Sequence, residues 1–106
     1  MSGAARPVLV TGASSGIGML AAIELARRGH RVIATMRNPE KAGDLRARAE
    51  AAGVAMEVLA LDVTSAESVA QCALEVTERH GSLSGLVNNA GIGIGGFFED
   101  LEDREV

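Results

Sequence analysis

Apolar residues fall along the chain in two alternating rhythms. Short continuous runs stand at Pro7-Val8-Leu9-Val10, at Arg31-Val32-Ile33-Ala34-Thr35-Met36, from Val54 to Leu61 and from Leu83 to Val87. Runs of this length, bounded by glycine and asparagine, predict buried strands. Longer helical patterns lie between them. Gly16 to Arg28 carries Ile17, Leu20, Ala21, Ile23, Leu25 and Ala26, with Glu24 its only charge before Arg27. That distribution predicts a helix buried almost all round, closed by a left-handed cap at Gly29. Asn38-Pro39 predicts a second helix start, Asn as N-cap and Pro in the first helical position. Ala42, Leu45, Ala49 and Ala52 then form one apolar stripe as far as Gly53. Thr64-Ser65-Ala66-Glu67 fits a capping box. It leads into a third helix with Ala66, Val69, Ala70, Ala73 and Val76 on one face, ended by Gly81. Glu99 to Val106 predicts the opening of a further helix.

Strict alternation of strands and helices predicts an α/β fold, β-α-β-α-β-α-β, with right-handed crossovers and a Rossmann-like parallel sheet. Residues 1–106 read as one nucleotide-binding segment without repeats or linkers. Asp103-Arg104-Glu105-Val106 holds no helix stop signal. Four parallel strands leave an edge and part of the sheet faces uncovered, whereas such sheets are ordinarily buried on both faces. The expectation is the first part of a larger doubly wound fold. A complete small domain with a frayed tail is the alternative.

Composition narrows the picture. Hydrophobic residues are 47% and charged residues 23%, a folding mixture. Aromatics are 2%, only Phe97 and Phe98, so the core must be built from Val, Ile, Leu, Met and Ala. A net charge of −4 argues against a general electrostatic grip on nucleic acid. No apolar run is long enough to span a membrane, and the first residues lack the pattern of a signal peptide. A cytoplasmic location is expected. The single cysteine, Cys72, is expected as a small buried side chain, and Met19, Met36 and Met56 as packing residues. His30 and His80 are expected at the surface.

Chemistry concentrates in Thr11-Gly12-Ala13-Ser14-Ser15-Gly16-Ile17-Gly18, which joins the first strand to the first helix. Gly12 permits a turn that few residues could make. Gly16 lets a pyrophosphate come close to the backbone, and Gly18 lets the helix pack tightly. Amides at the helix start and the helix dipole favour an anion, and Ser14 and Ser15 add hydroxyl donors. The spacing is neither Gly-x-Gly-x-x-Gly nor an ATP-binding P-loop. A merely tight strand-helix turn is the competing reading.

Thr11 to Gly18 resembles the cofactor loop of the short-chain dehydrogenase/reductase family. Asp62-Val63, after the third strand, and Asn88-Asn89-Ala90-Gly91, after the fourth, resemble two further motifs of that family in the same order. Each falls at the carboxyl end of a strand, where ligands bind in open α/β sheets. The resemblance implies that Gly12, Ser14, Ser15, Gly16, Ile17 and Gly18 line the pyrophosphate and the neighbouring ribose. It implies that Asp62 accepts from the adenine amino group, with Val63 packed beside it. It places Asn88, Ala90 and Gly91 on the nicotinamide side, with Asn89 supporting the centre of the sheet. Local alternatives are a helix cap for Asp62 and a polar turn for the asparagines. After the second strand an NAD enzyme usually carries a carboxylate for the ribose 2′-hydroxyl. Here Thr35, Met36 and Arg37 follow instead. The Arg37 guanidinium suits a 2′-phosphate, so NADP(H) is the expected cofactor. A solvated loop charge is the alternative. Ala34-Thr35-Met36-Arg37 also resembles the branch that holds hydroxysteroid and retinol dehydrogenases.

The family's proton-transfer residues, a Ser and a Tyr-x-x-x-Lys pair, have no counterpart. The chain has no tyrosine, and none of its serines follows a fifth strand. Its one lysine, Lys41, is expected in a surface helix far from the cleft. The resemblance therefore implies the cofactor platform of a hydride-transferring enzyme acting on a small alcohol or carbonyl compound, homo-oligomeric, without turnover by these residues alone. A stand-alone, non-catalytic nucleotide-binding module, paired through its open sheet edge, is the alternative. A methyltransferase-like fold gives Arg37 and Asn-Asn-Ala-Gly no role.

Overall fold

The computed structural model describes residues 6–89. Their order is β1 (Val8–Val10), α1 (Gly16–Arg27), β2 (Val32–Met36), a 3-10 turn (Pro39–Lys41), α2 (Gly43–Ala52), β3 (Glu57–Ala60), α3 (Ala66–His80) and β4 (Gly85–Val87). All strand pairs are parallel, and the sheet order is β3-β2-β1-β4. The predicted alternation and Rossmann-like sheet are therefore present. The segment from 90 to 106, with the predicted terminal helix, Ala90 and Gly91, lies outside the described residues.

Side chains of the central strands alternate between two cores, as the period of a strand requires. Val8, Val10, Val32, Ala34 and Met36 pack with Met19, Ala22 and Ala26 of α1 and with Ala42 and Leu45. Leu9 and Ile33 point the other way and pack with Val69, Cys72 and Val76 of α3 and with Leu59, Leu61 and Leu83. Burial on both faces is why these strands read as continuous apolar runs. It also accounts for the small residues: Ala22 and Ala34 are fully buried where α1 crosses the sheet.

Five local expectations change. Ile17 is 77% exposed and Leu20 59% exposed, so α1 is buried along one side only. The sheet and α2 cover that side, and no described element covers the rest. Asn38 and Pro39 do open a helical segment, but it is the 3-10 turn, with Asn38 Oδ1 accepting from Glu40 N. The backbone breaks at Ala42 before α2 begins, and Ala52 is exposed. The third strand is shorter than predicted because Val54 belongs to the end of α2: Val54 N donates to Ala49 O, and Gly53 N to Glu50 O. That pair of bonds is the Schellman closure. Ser65 rather than Thr64 caps α3, its Oγ accepting from Ser68 N at 3.1 Å. Thr64 is held instead by Asp62. Cys72 replaces Ala66 and Ala70 on the buried face of α3, and both alanines are exposed.

Candidate functional site

The chain builds outward from β1 to β2 to β3, then returns to place β4 on the other side of β1. The order of strands reverses at that point, and loops leaving the carboxyl ends of β1 and β4 diverge there. Open α/β sheets bind ligands at such a crevice. Gly12 leaves β1 with φ 63° and Gly16 enters α1 with φ 60°, both in the left-handed region that favours glycine. A Cβ on Gly16 would meet nothing within 4 Å, so this backbone faces open space. A Cβ on Gly18 would stand 2.1 Å from Gly12 O and 2.8 Å from Asn89 Nδ2. Gly18 is thus required by packing, and Gly12 and Gly16 by backbone conformation.

The turn is pinned on three sides. Ala13 N donates to Thr35 O at 3.0 Å, and Thr35 Oγ1 donates to Val10 O at 2.9 Å. Thr11 Oγ1 donates to Asn88 Oδ1 at 3.2 Å, and Asn89 Nδ2 donates to Gly12 O at 3.3 Å. Asn89 thereby buttresses the glycine turn from the end of β4. Ser15 occupies the N-cap of α1 in extended conformation without a side-chain cap bond, and the first turn of α1 holds no acidic residue. No side chain among the described residues caps its first amides, and an anion is the partner favoured by the dipole.

A cleft of about 650 Å³ opens at the ends of β1, β2 and β3. Gly12 and Ser14 form one wall; Leu61, Asp62 and Val63 form another. Met36, Arg37, Asn38 and Lys41 close the third side. Arg37 is 80% exposed, and its Nε stands 3.7 Å from Asp62 Oδ2. Asp62 Oδ1 accepts from Thr64 Oγ1 at 2.6 Å and from Thr64 N at 2.9 Å. These two bonds, helped by the Arg37 charge, hold the Asp62 carboxyl below its ordinary value. Asp62 holds the turn before α3 through Thr64 rather than capping the helix, whose cap is Ser65, and its second oxygen faces the cleft cation.

Of the predicted site residues, Gly12, Ser14, Arg37, Asp62 and Val63 come together in this cleft. Ser15, Gly16, Ile17 and Gly18 stand beside it at the start of α1, and Asn88 lies across β1 from it. Lys41 was expected far from the cleft and instead lines it. The 3-10 turn is the reason, because it folds the segment back at the end of β2: Lys41 N donates to Asn38 O at 2.9 Å. Asp62 also brings a carboxylate to Arg37 although none stands at the end of β2 in sequence. Only the register between β2 and β3 reveals that neighbour.

A second polar cluster lies at the opposite end of the sheet. His80 was expected at the surface, but its side chain is only 9% exposed. His80 Nε2 stands 2.8 Å from Glu57 Oε1, and Arg79 Nη1 bonds Glu57 Oε2. Partial burial alone would raise the Glu57 carboxyl; the bonds from His80 and Arg79 outweigh it and hold the group below its ordinary value. The Cys72 thiol is pushed up to about 11, by burial first and then by Glu75 and Glu57. It is an inert core side chain, as expected. No group of three or more His, Cys, Asp or Glu is placed to hold a metal among the described residues. No described helix is long and apolar enough to cross a membrane.

Known proteins resemble this chain in sequence and in fold. The family model for short chain dehydrogenases matches residues 6–106. Retinol dehydrogenase 8 of Bos taurus is 47% identical in an alignment of 105 residues that covers 95% of this chain and 33% of that protein. The 3beta-hydroxysteroid dehydrogenase of Mediterraneibacter gnavus is 42% identical over 99 residues, 92% of this chain and 36% of that one. Among solved structures, a metagenomic short-chain oxidoreductase in complex with NADP superposes with a TM-score of 0.72 at 40% identity, over 84% of this chain and 41% of that chain. The chain thus spans about a third of the length of the curated relatives it matches. With the glycine turn, Asp62-Val63 and the asparagines after β4 all at the carboxyl ends of the strands, and a family match across nearly its whole length, the chain belongs to the short-chain dehydrogenase family.

Proposed function

We propose that the chain is the NADP(H)-binding portion of a short-chain oxidoreductase that transfers hydride between the nicotinamide and a small alcohol or carbonyl substrate. One observation carries the reading: the glycine turn and the Arg37 cation open on a single cleft at the strand ends. The first-turn amides of α1, with Ser14 and Ser15, receive the pyrophosphate beside Gly12, Gly16, Ile17 and Gly18. Arg37 takes the ribose 2′-phosphate. Asp62, through the oxygen not held by Thr64 N–H, accepts from the adenine amino group, and Val63 packs on that ring. Asn88, together with Ala90 and Gly91 beyond the described residues, serves the nicotinamide-side ribose. The bound cofactor supplies the hydride donor or acceptor.

The chain's own residues bind and orient but hold no proton donor for the substrate oxygen. There is no tyrosine, and the single lysine stands at the Arg37 side of the cleft. These 106 residues therefore bind cofactor without turnover. The same reading carries a homo-oligomeric assembly and a cytoplasmic location. The test is a paired titration with NADPH and NADH, repeated on Arg37→Asp. The wild-type chain should prefer NADPH, and the variant should lose about tenfold or more in NADPH affinity while NADH binding holds or improves. An unmoved preference overturns the assignment of Arg37. Alcohol oxidation by the 106-residue chain overturns the absence of turnover.

A further inference from the structure

The two helical layers carry opposite charge. Residues 6–56, which hold α1 and α2, contain eight Arg or Lys against four Asp or Glu. Residues 57–89, which hold α3, contain one against five. The layers lie on opposite faces of the sheet, α1 and α2 over one core and α3 over the other.

On the basic face an open groove of about 700 Å³ runs between α1 and α2. Leu20, Ile23, Ala51 and Ala52 give it an apolar lining, and Arg27 and Arg48 are its cations. Glu24, its one carboxylate, already accepts from Arg27 Nη1 at 3.3 Å and from Arg28 Nε at 2.8 Å. Arg48 makes no ion pair among the described residues, so the groove keeps a surplus of positive charge.

On the acidic face α3 presents a ridge. Glu67, Ala70, Gln71, Leu74 and Glu78 recur at steps of three and four, and all are exposed. Glu67 and Glu78 make no ion pair among the described residues. Leu74 is one of three exposed large apolar side chains among those residues, and Leu20 in the groove is another. Groove and ridge match: each has an apolar centre, and the charges beside it are of opposite sign. A ridge of one helix seated in a groove is the ordinary geometry of helix packing.

We infer that the α1–α2 groove is an interaction surface for a second copy of this chain, which seats its α3 ridge there, with Leu74 on the apolar lining and Glu67 and Glu78 toward the guanidiniums. The inference rests on the homo-oligomeric part of the reading above and is independent of its cofactor, since no residue of the groove lines the cleft. Groove and ridge lie on opposite faces, so a pair of copies leaves one of each unused. Association of this heterologous kind adds further copies rather than stopping at two.

The experiment is sedimentation of the whole chain between about 10 μM and about 1 mM, the weak end of specific association. It is repeated on Arg48→Glu, on Glu78→Arg and on an equal mixture of the two, with melting temperatures to show that each fold is kept. The mean mass of the wild type should rise above the monomer with concentration and fall back at about 1 M salt, where screening reaches ~3 Å. Each charge variant alone should associate about tenfold or more weakly, because like charges then face each other. The mixture should recover association, since the intact ridge of one variant fits the intact groove of the other. Leu74→Ser, which changes no charge, should weaken association as well and replaces any charge variant that loses the fold. Wild-type association that none of these variants weakens overturns the groove and the ridge and leaves the homo-oligomeric reading standing. Weakening without recovery in the mixture overturns the pairing of groove with ridge. A wild-type chain that stays monomeric throughout overturns the inference and the homo-oligomeric reading together.

Discussion

A methyl group on Gly18 would stand 2.1 Å from a backbone carbonyl, and backbone cannot step aside as a flexible side chain can. Gly18→Ala must therefore push α1 off the end of β1 or tear the Asn89–Gly12 bond. A loss of about 2 kcal/mol or more in stability is expected, the scale of an overpacked interior site. A melting curve checks it; an alanine variant as stable as the wild type would show that the turn relaxes freely. The counterpart, Gly16, has room for a side chain but the wrong backbone conformation for one. The two glycines are legible in sequence for different physical reasons, and the motif spacing combines both. Lys41 was not legible. Its apolar neighbours Ala42, Leu45 and Ala49 fit one continuous helix as well as a 3-10 turn followed by a helix, and only the second places Lys41 in the cleft.

Among the elements, α3 shows how an interaction between distant segments adds to pattern. Its apolar face and start were readable, but three hydroxyl residues crowd that start. Asp62 takes Thr64, and the cap passes to Ser65. At its other end Arg79 and His80 clamp Glu57, the first residue of β3, across 23 positions of chain between His80 and its partner. No sequence period reports such a pair, because the register of the sheet creates it. The clamp has a sign in pH. Glu57 is held below the ordinary value of 4.5, so its contribution is whole above that value and is lost as the pH falls through the lowered one. Glu57→Gln should cost about 1 kcal/mol at neutral pH, a modest figure because the pair is partly exposed. The difference between variant and wild type should shrink in acid. Denaturant unfolding at pH 7 and pH 3 measures it, and an equal difference at both would contradict the clamp.

For the whole molecule, the parallel α/β alternation and the position of the crevice were legible because the central strands β1 and β2 are covered on both faces and each motif sits at a strand end; the strand order β3-β2-β1-β4 was not. What the sequence could not show is which side of α1 the neighbouring elements leave open; Ile17 and Leu20 look like core and are not. Cofactor and stability should be coupled at this scale. The residues assigned to the ligand lie on the segments that leave β1, β2, β3 and β4 at one end of the sheet, so binding favours the assembled sheet. NADPH at about a hundred times its dissociation constant should stabilise the chain by about 2.7 kcal/mol. That corresponds to a melting shift of roughly 10–20 °C, and NADH at the same concentration should give less. Thermal shift reads both. The tie between Thr11 and Asn88 has one more consequence, in time rather than in space. Thr35 reaches β1 across 25 residues, but Asn88 reaches it across 77. Closing the longer loop costs about 1 kcal/mol more in chain entropy. Pairing of the central strand with β2 is therefore the cheaper closure, and the crevice between β1 and β4 is expected to complete after it, with the Thr11–Asn88 bond as its mark.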